Sequence, residues 1–492
     1  MGKQTNPQMQ ETSNELKIRR IENDIPLVVD LDGTFLNTDL LYESIVLLIK
    51  RNPLYVFLIP IWLLQGKIYL KKKLHQLVNL NFSLLPYNKN LLDFLEMEMD
   101  SGREIVLATA SLQSNAVQVA KKFPMLFGEV CGSEMINLKG KKKLEFLLTK
   151  YGQAGYDYIG NSYADLPIFA ESRHSFLVTD DKILTNRTKK VSNLQRRWSN
   201  HRNGFKDFLK AIRAYQWIKN LLIFVPLITS HSFDLKNIIS AFVGFIAFGM
   251  VASSGYLIND LIDLESDRAH ARKCFRPMAS GGLSIPFGVI ITVILFSIGL
   301  AIAALLGLQF LLIVSVYFVL TLAYSLYLKK IAMADVFTLA ILYSIRVIAG
   351  AILINVLLSS WLISFSMFLF LSLALVKRYG ELYKVKDAGE KVNKAREYNL
   401  FDLQLLQTMG IASGFISVIV FSLYLDSHDV ALLYSNPKPM WIISFLFLFW
   451  NSRIWLKASH GQMTDDPIIY TVKDKLSYLI LCFIAVVIYI SI

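Results

Sequence analysis

The feature that most constrains the fold is a series of apolar blocks, each roughly 20 residues long, that dominates the chain from Leu221 onward. About 20 apolar residues let an α-helix cross a bilayer, and only helices and closed barrels satisfy their backbone groups there. The second half is therefore predicted to be an all-α polytopic membrane domain of about nine transmembrane helices. We expect them near residues 217–231, 236–258, 284–304, 307–327, 334–354, 358–376, 403–425, 438–455 and 475–491.

The basic residues between these blocks predict the orientation of the chain. They concentrate after the second, fourth, sixth and eighth blocks, as at Arg268, Lys329 and Lys384. By the positive-inside rule these connections and the N-terminal domain face the cytoplasm. The first 20 residues are polar and are expected to be a disordered N-terminus without a signal peptide. We assign the net charge of +13 to loops, membrane lipids and phosphorylated substrates, because no basic face with interleaved aromatics indicates nucleic acid.

Residues 21–188 mix charged and apolar runs and are predicted to form a Rossmann-like α/β domain. Three strand-like runs, at 26–29, 104–108 and 156–159, each lead into polar residues. The carboxyl ends of parallel strands meet at one edge of a sheet, where ligands bind in open α/β folds. The residues expected at this edge are Asp30 and Asp32, Thr109, and Asn161 and Asp165.

These residues, with a basic helix start at 139–143, resemble the four motifs of the haloacid dehalogenase superfamily of phosphatases over roughly residues 22–185. The resemblance implies that Asp30 is the nucleophile, Asp32 the general acid/base and Thr109 a phosphate ligand. Lys143 would be the charge partner, since it best fits a helix that continues through Leu147, with Lys139 and Lys141 as alternatives. The implied Mg²⁺ ligands are Asp30, Asp32, Asn161 and Asp165.

Two features of this domain leave alternatives open. Asn161 stands where the family more often has a carboxylate, so the metal site loses a charge, and a non-catalytic or regulatory domain is one interpretation. Residues 40–100 would form a mainly helical cap, in which Leu54–Leu64 is too short to span a bilayer. That segment is either a buried cap helix or a surface that docks on the membrane through Tyr55, Phe57, Trp62 and Tyr69.

A basic linker is expected at 189–206, and a row of aspartates follows the second predicted span. Asp260, Asp263 and Asp267 fall at i, i+3 and i+7, so a helix would align them on one face. Such a row suits Mg²⁺ and a diphosphate. Asn259, Lys273 and Arg276 flank it.

This segment and the span layout resemble the UbiA superfamily of intramembrane prenyltransferases over residues 207–492. Family members that prenylate aromatic acceptors carry a second aspartate motif, which is absent here. The residues in its place, together with Lys219 and Asn220 at the start of the first expected span, resemble the decaprenyl-phosphate phosphoribosyltransferase branch. Those in its place are Tyr324, Lys329, Lys330, Asp335, Arg346, Lys377 and Arg378.

The resemblance implies a Mg²⁺-dependent enzyme of the bacterial cytoplasmic membrane that acts in cell wall biosynthesis. It would transfer 5-phosphoribose from phosphoribosyl diphosphate to a polyprenyl phosphate on the cytoplasmic face. The phosphatase domain would remove the 5-phosphate of the product. The alternative is a UbiA-type prenyltransferase that attaches a prenyl chain to an aromatic or quinone precursor.

Overall fold

The computed structural model describes residues 25–200, 204–387, 397–427, 430, 433–463 and 466–491. The predicted disordered N-terminus lies outside the described residues. The chain divides into two compact units, Met1–Ile212 with Asp260–Ile290, and Arg213–Asn259 with Ile291–Ile492. The aspartate-rich segment, which was predicted to belong to the membrane domain, is thus packed with the N-terminal domain.

The first unit contains a six-stranded parallel sheet with the strand order β3-β2-β1-β4-β5-β6. The prediction of a parallel α/β domain is confirmed. Strand β1 is central and pairs with β2 and β4, so that Leu27 lies beside Ile105 and Asp157. The strands are Leu27–Val29, Ile105–Leu112, Glu129–Ser133, Asp157–Gly160, Ser175–Val178 and Leu194–Trp198.

Alternate residues of β1 enter different apolar cores on the two faces of the sheet. Leu27 and Val29 belong to one core, whereas Val28 packs in the other with Val106 and Leu177. All three β1 residues are fully buried, as is typical of parallel strands covered by helices on both faces. The loops after the central strands therefore meet at one edge, as predicted.

The predicted basic linker contains the sixth strand of the sheet. Leu194–Trp198 pairs with β5, so the sheet extends beyond the boundary predicted at residue 188. Composition misled the prediction because Arg196 and Arg197 were counted as linker charges. The Arg196 guanidinium instead lies over the rings of Phe94 and Trp198, and Trp198 is buried in the core.

Helices cover both faces of the sheet and build the cap. The helix Lys89–Asp100, which was predicted to lie in the cap, packs Leu91 and Leu95 into the core beside β1. The α-helices of this unit are Leu40–Arg51, Leu58–Leu64, Lys67–Leu77, Lys89–Asp100, Gln113–Ala120, Lys141–Tyr151, Leu166–Glu171, Lys182–Val191, Phe205–Ala211, Leu264–Arg268 and Pro277–Ser280. Its 3-10 turns are Pro53–Phe57, Phe82–Leu84, Tyr163–Asp165 and Lys273–Phe275.

The second unit is helical and makes this an integral membrane protein. Within the described residues, six helices are long and apolar enough to cross a membrane: Leu235–Ile262, Ile285–Leu306, Leu308–Leu326, Ala334–Leu353, Ser360–Asp387 and Leu400–Leu425. The helices Pro467–Lys473 and Lys475–Ser491 meet at an angle of 82° and would form a seventh span if counted together. The remaining elements are Ala214–Phe224, Val225–Thr229, Leu328–Lys330, Lys438–Met440 and Trp441–Ser459.

Against the nine spans expected, the described residues contain six candidate spans, or seven with the bent pair. The block at 217–231 is a 3-10 helix, Ala214–Phe224, in which polar Lys219 and Asn220 are buried, followed by the five-residue helix Val225–Thr229 with Pro226 in its first turn. The helix Trp441–Ser459 has the length of a span but carries one amide and two charged residues that lower its hydropathy. These are Asn451, Arg453 and Lys457.

Candidate functional site

The sheet edge after β1 and β4 carries a chain of polar contacts that begins at Asp30. Lys143 Nζ lies 2.7 Å from Asp30 Oδ1 and 3.2 Å from the hydroxyl of Tyr158. The Tyr158 hydroxyl in turn donates to Asp165 Oδ1 at 3.1 Å. Lys143 is buried, whereas Lys139 and Lys141 are exposed. Of the three lysines weighed from the sequence, the structure brings Lys143 to Asp30.

Asp32 lies at the same edge and is held by neighbouring elements. Its Oδ1 accepts the backbone N–H of Leu40 at 3.0 Å, where the helix Leu40–Arg51 begins. Its Oδ2 accepts the hydroxyl of Ser111 at 2.6 Å and a longer bond from Thr109 at 3.4 Å. The predicted phosphate ligand Thr109 therefore lies beside Asp32.

The carboxyl groups of Asp30 and Asp32 both have a higher pKa than an exposed aspartate. Burial raises the pKa of Asp30 to about 6, against the lowering effect of the Lys143 ammonium. Burial also raises the pKa of Asp32 to about 6, with Asp39 adding to the rise. Two neighbouring carboxyls that titrate near neutral pH can take different protonation states, which a nucleophile and a general acid require.

The predicted metal ligands of this domain are only partly assembled. Asp165 Oδ2 accepts Ser162 Oγ at 2.7 Å and the backbone N–H groups of Ser162 and Asn161, so the carboxylate shapes its own loop. Within the described residues, no three His, Cys, Asp or Glu side chains lie together as a metal site. The oxygens of Asp30 and Asn161 are donors that Mg²⁺ accepts, and metal binding here stays a prediction.

The aspartate row is arranged differently from the single helical face that was expected. The helix Leu235–Ile262 ends before Asp263, which occupies the N-cap of the short helix Leu264–Arg268. Arg276 Nη1 lies 3.0 Å from Asp260 Oδ1 and 2.6 Å from Asp267 Oδ2. Asp260 and Asp267 are buried and both contact the Arg276 guanidinium. Two carboxylates that share one cation also suit a single Mg²⁺ ion.

A second ion pair joins the segment after Asp267 to the N-terminal domain within the same unit. Arg268 Nη2 and Nη1 lie 2.7 and 3.0 Å from the two carboxylate oxygens of Glu43. Arg268 Nε donates to the carbonyl of Ala279 at 2.9 Å. Sequence reasoning missed Glu43, although a single carboxylate within an otherwise apolar helical stretch was a usable signal.

Several predicted substrate-binding residues come together in the membrane unit. Lys219 Nζ lies 2.7 Å and Lys377 Nζ 3.6 Å from Asp466 Oδ2, which also accepts the Tyr343 hydroxyl at 3.0 Å. Lys219 and Asp466 are almost fully buried. The sequence prediction missed Asp466, although an Asp-Pro pair before an apolar helix is a helix-start signal.

Arg346 lies in the same unit and is also buried. Its Nε donates to Asn220 Oδ1 at 2.9 Å and its Nη2 to the Tyr317 hydroxyl at 2.9 Å, while Nη1 contacts the Leu342 carbonyl. We call Lys219, Arg346, Lys377, Asn220 and Asp466 the basic cluster. Among the described residues, the contacts of these three cations include one carboxylate, Asp466, which lies against Lys219 and Lys377. This excess of positive charge favours an anionic ligand.

The remaining predicted residues are distributed along the chain and are not all assembled. Arg378 is paired with the carboxylates of Asp335 and Glu381, and Asp335 also accepts the Tyr398 hydroxyl at 2.5 Å. Arg378 and Asp335 thus join two helices of the membrane unit. Asn259 and Tyr324 are half-buried, Lys273 is exposed, and Lys329 and Lys330 form a 3-10 turn. Their roles stay predictions.

Comparison with known proteins gives three findings. The uncharacterized protein y4nM of Sinorhizobium fredii is 35% identical over 97% of this chain and 93% of its own length. The decaprenyl-phosphate phosphoribosyltransferase of Corynebacterium glutamicum is 31% identical over 46% of this chain and 70% of its own length. A solved UbiA homolog from Archaeoglobus fulgidus, bound to GPP and Mg²⁺, is 19% identical and covers 57% of this chain and 99% of that one, with a TM-score of 0.44.

The family model of the UbiA prenyltransferase family matches residues 222–455. This range includes Arg276 with its two aspartates and the residues from Arg346 to Arg378. The helical membrane unit, the match and the identity to a named relative over most of that relative's length agree. This chain belongs to the UbiA prenyltransferase family.

Proposed function

We propose that the membrane unit transfers 5-phosphoribose from phosphoribosyl diphosphate to a polyprenyl phosphate. The observation that carries this proposal is the basic cluster, in which Lys219 and Lys377 lie against Asp466 and the buried Arg346 contacts Asn220. A phosphorylated ligand supplies the negative charge that the described residues of this cluster lack. The 31% identity to a decaprenyl-phosphate phosphoribosyltransferase supports the same substrate class.

The reaction is a displacement at C1 of the ribose. The bond from C1 to the diphosphate oxygen breaks, and an oxygen of the lipid phosphate forms the new bond to C1. The electron pair leaves with the diphosphate, so the negative charge that develops there must be stabilised. Mg²⁺ held by Asp260 and Asp267 would supply that charge stabilisation. Arg276, which lies between the two aspartates, would hold a diphosphate oxygen.

We propose further that the N-terminal domain removes the 5-phosphate of the lipid product. The protein y4nM is similar to this chain over nearly its whole length, which supports a joint role of the two domains. The contact between Asp30 and Lys143, and the hydroxyls of Thr109 and Ser111 beside Asp32, supply a nucleophile, a charge partner and phosphate ligands.

The hydrolysis proceeds in two balanced steps. Asp30 attacks phosphorus as the bond to the ribose O5 breaks, and Asp32 gives its proton to that oxygen. Asp32 then takes a proton from water, whose oxygen attacks the aspartyl phosphate and releases inorganic phosphate. Mg²⁺ held by Asp30, Asp32 and Asn161 would neutralise the phosphoryl group when bound.

The location follows from the same substrates. Phosphoribosyl diphosphate is soluble and polyprenyl phosphate is lipid-bound, so the enzyme would act at the cytoplasmic face of the bacterial cytoplasmic membrane. The N-terminal domain would be cytoplasmic, in agreement with the basic connections between the spans. The product would serve cell wall biosynthesis.

A label-transfer assay tests the transferase proposal. Purified full-length protein is incubated with ribose-labelled phosphoribosyl diphosphate, polyprenyl phosphate and Mg²⁺, and the extracted lipid is counted. We expect label in the lipid only when polyprenyl phosphate is present. Consumption of a prenyl diphosphate with an aromatic acid, without any transfer of labelled ribose, would overturn the proposal in favour of aromatic prenylation.

A further inference from the structure

The cap of the N-terminal domain presents an apolar face to solvent. The segment Pro53–Leu64 contains no charged residue and forms a 3-10 turn, Pro53–Phe57, followed by the helix Leu58–Leu64. Every residue of the segment is exposed or half-buried. The exposed fraction reaches 68% at Leu54, 71% at Phe57 and 89% at Leu64. The sequence interpretation as a buried cap helix is therefore wrong.

The opposite side of the segment is what fixes it to the cap. Tyr55, Ile59 and Trp62 pack around a small apolar cluster formed by Leu48, Leu70 and Leu74. Their spacing of four and three residues marks one side of a helical segment. The residues on the other side, which we call the apolar face, are Leu54, Phe57, Leu58, Ile61 and Leu64. A contiguous exposed apolar patch of this kind marks a surface that binds protein or membrane.

The charges around the apolar face distinguish between these partners. The sequence has no carboxylate between Glu43 and Asp93, but it has seven lysines and arginines there. Lys50 and Arg51 end the helix before the segment, and Lys67 and Lys72 lie on the helix after it, all four of them exposed. Cations beside an apolar face match anionic lipid headgroups above an acyl layer. A second copy of this chain would bring the same cations against one another.

We propose that the apolar face inserts into the surface of the bilayer that the chain's own helices span, with the neighbouring lysines on anionic headgroups. The segment has 12 residues and is too short to cross the bilayer, which agrees with an interfacial position. The six candidate spans of the same chain hold the protein at a membrane.

The cap also connects the apolar face to the candidate phosphatase site. Lys71, on the helix Lys67–Leu77, donates to the Ala110 carbonyl at 2.6 Å and to Asn137 Oδ1 at 3.0 Å. Ala110 stands between Thr109 and Ser111, the two hydroxyl donors to Asp32. The helix that carries Lys71 therefore also packs, through Leu70 and Leu74, against the inner side of the segment that bears the apolar face. This step rests on the proposed phosphatase activity and supplies the position at the bilayer that its membrane-bound, lipid-linked phosphomonoester requires.

Depth measurement with spin labels tests the insertion directly. Full-length protein with Cys131→Ala, Cys274→Ser and Cys482→Ser is labelled at Phe57→Cys or Leu64→Cys and reconstituted in vesicles of phosphatidylcholine and phosphatidylglycerol. We expect both labels to be more accessible to oxygen than to a water-soluble nickel complex. The matched control is Met125→Cys, which is 90% exposed in the same unit and should show the opposite order.

Two outcomes of the depth measurement would overturn the proposal. Labels at Phe57 and Leu64 that meet the nickel complex as freely as the control would show that the face lies in water. Labels shielded from both reagents would show that another protein surface covers it.

A turnover assay tests the substrate class separately. Leu64→Glu should lower the hydrolysis of a lipid-linked phosphomonoester in vesicles about tenfold, the equivalent of one lost buried leucine, and leave a soluble phosphomonoester unaffected. Equal rates of the variant and the wild type on the lipid substrate would overturn the assignment. A wild-type protein that hydrolyses neither substrate would contradict the phosphatase proposal, while the depth result would stand independently.

Discussion

Glu43 and Arg268 form a two-point ion pair although 225 positions separate them in the chain. Their side chains are only 2% and 5% exposed. Glu43 Oε1 also accepts the hydroxyl of Thr38 at 2.5 Å, so the carboxylate is fully engaged by donors. The pair ties the first helix of the N-terminal domain, whose start holds Asp32, to the residue that follows Asp267.

Substitution of Glu43 should destabilise the protein strongly. Glu43→Gln leaves the buried Arg268 without a counter-charge, and breaking a buried ion pair costs about 3–5 kcal/mol. The matched control is Glu129→Gln, which breaks the more exposed pair with Lys150 and should cost about 1 kcal/mol or less. Thermal unfolding in detergent measures both. Equal shifts of the two midpoints would contradict the importance of the buried pair.

Substitution of Lys143 should abolish the phosphatase activity more than substitution of its neighbours. The Lys143 ammonium contacts Asp30, and the loss of one such positive group costs about 100- to 1,000-fold in rate. We expect this loss for Lys143→Gln and a nearly unchanged rate for the exposed Lys141→Gln, measured with a soluble phosphomonoester. A larger loss at Lys141 would show that the wrong lysine has been assigned.

The affinity of the N-terminal domain for Mg²⁺ should begin to fall near pH 6, well above the pH at which exposed carboxyls take up protons. Because burial raises the pKa of both Asp30 and Asp32 to about 6, protons compete with the metal below that pH and not only below about 4. The affinity for Mg²⁺ should therefore be constant above about pH 7. Below pH 6 it should fall by about tenfold per pH unit for each carboxyl that must lose a proton to bind the metal. Calorimetric titration measures it, with Asp30→Asn to subtract binding elsewhere. Affinity that is still constant at pH 5 would contradict the raised values.

Substitution in the basic cluster should weaken the use of polyprenyl phosphate. Lys219→Gln removes a buried cation, and one charged hydrogen bond contributes about 1.5–3 kcal/mol, or about 10- to 100-fold in kcat/KM. Lys236→Gln, at an exposed lysine of the same unit, is the control and should be unchanged. Initial rates at varied lipid concentration measure the effect. An unchanged kcat/KM in Lys219→Gln would show that the basic cluster does not bind polyprenyl phosphate.

The sequence predicted those features that depend on local pattern. The strand ends at Asp30, Thr109 and Asn161 meet at one edge because the strands are parallel neighbours. Helical spacing through Leu147 selected Lys143, and the structure buries that lysine against Asp30. These predictions needed only the periodicity of one short segment each.

Features that depend on long-range contacts were not predictable from pattern. Asp466 pairs with Lys219 across 247 positions, and nothing near either residue indicates the other. Likewise, apolar length alone did not show that Lys219 and Asn220, in the first expected span, are buried in a 3-10 helix. Strand β6 was missed because its edge position tolerates exposed arginines.

The most direct test of the central claim is mass spectrometry of the lipid made by full-length protein from labelled phosphoribosyl diphosphate and polyprenyl phosphate. The wild type should produce a polyprenyl-phosphoryl ribose without the 5-phosphate. Asp30→Asn should accumulate the same lipid with one more phosphoryl group, and Asp260→Asn should make neither. A wild type that makes no ribosylated lipid, or a dephosphorylated product that persists in Asp30→Asn, would contradict the account.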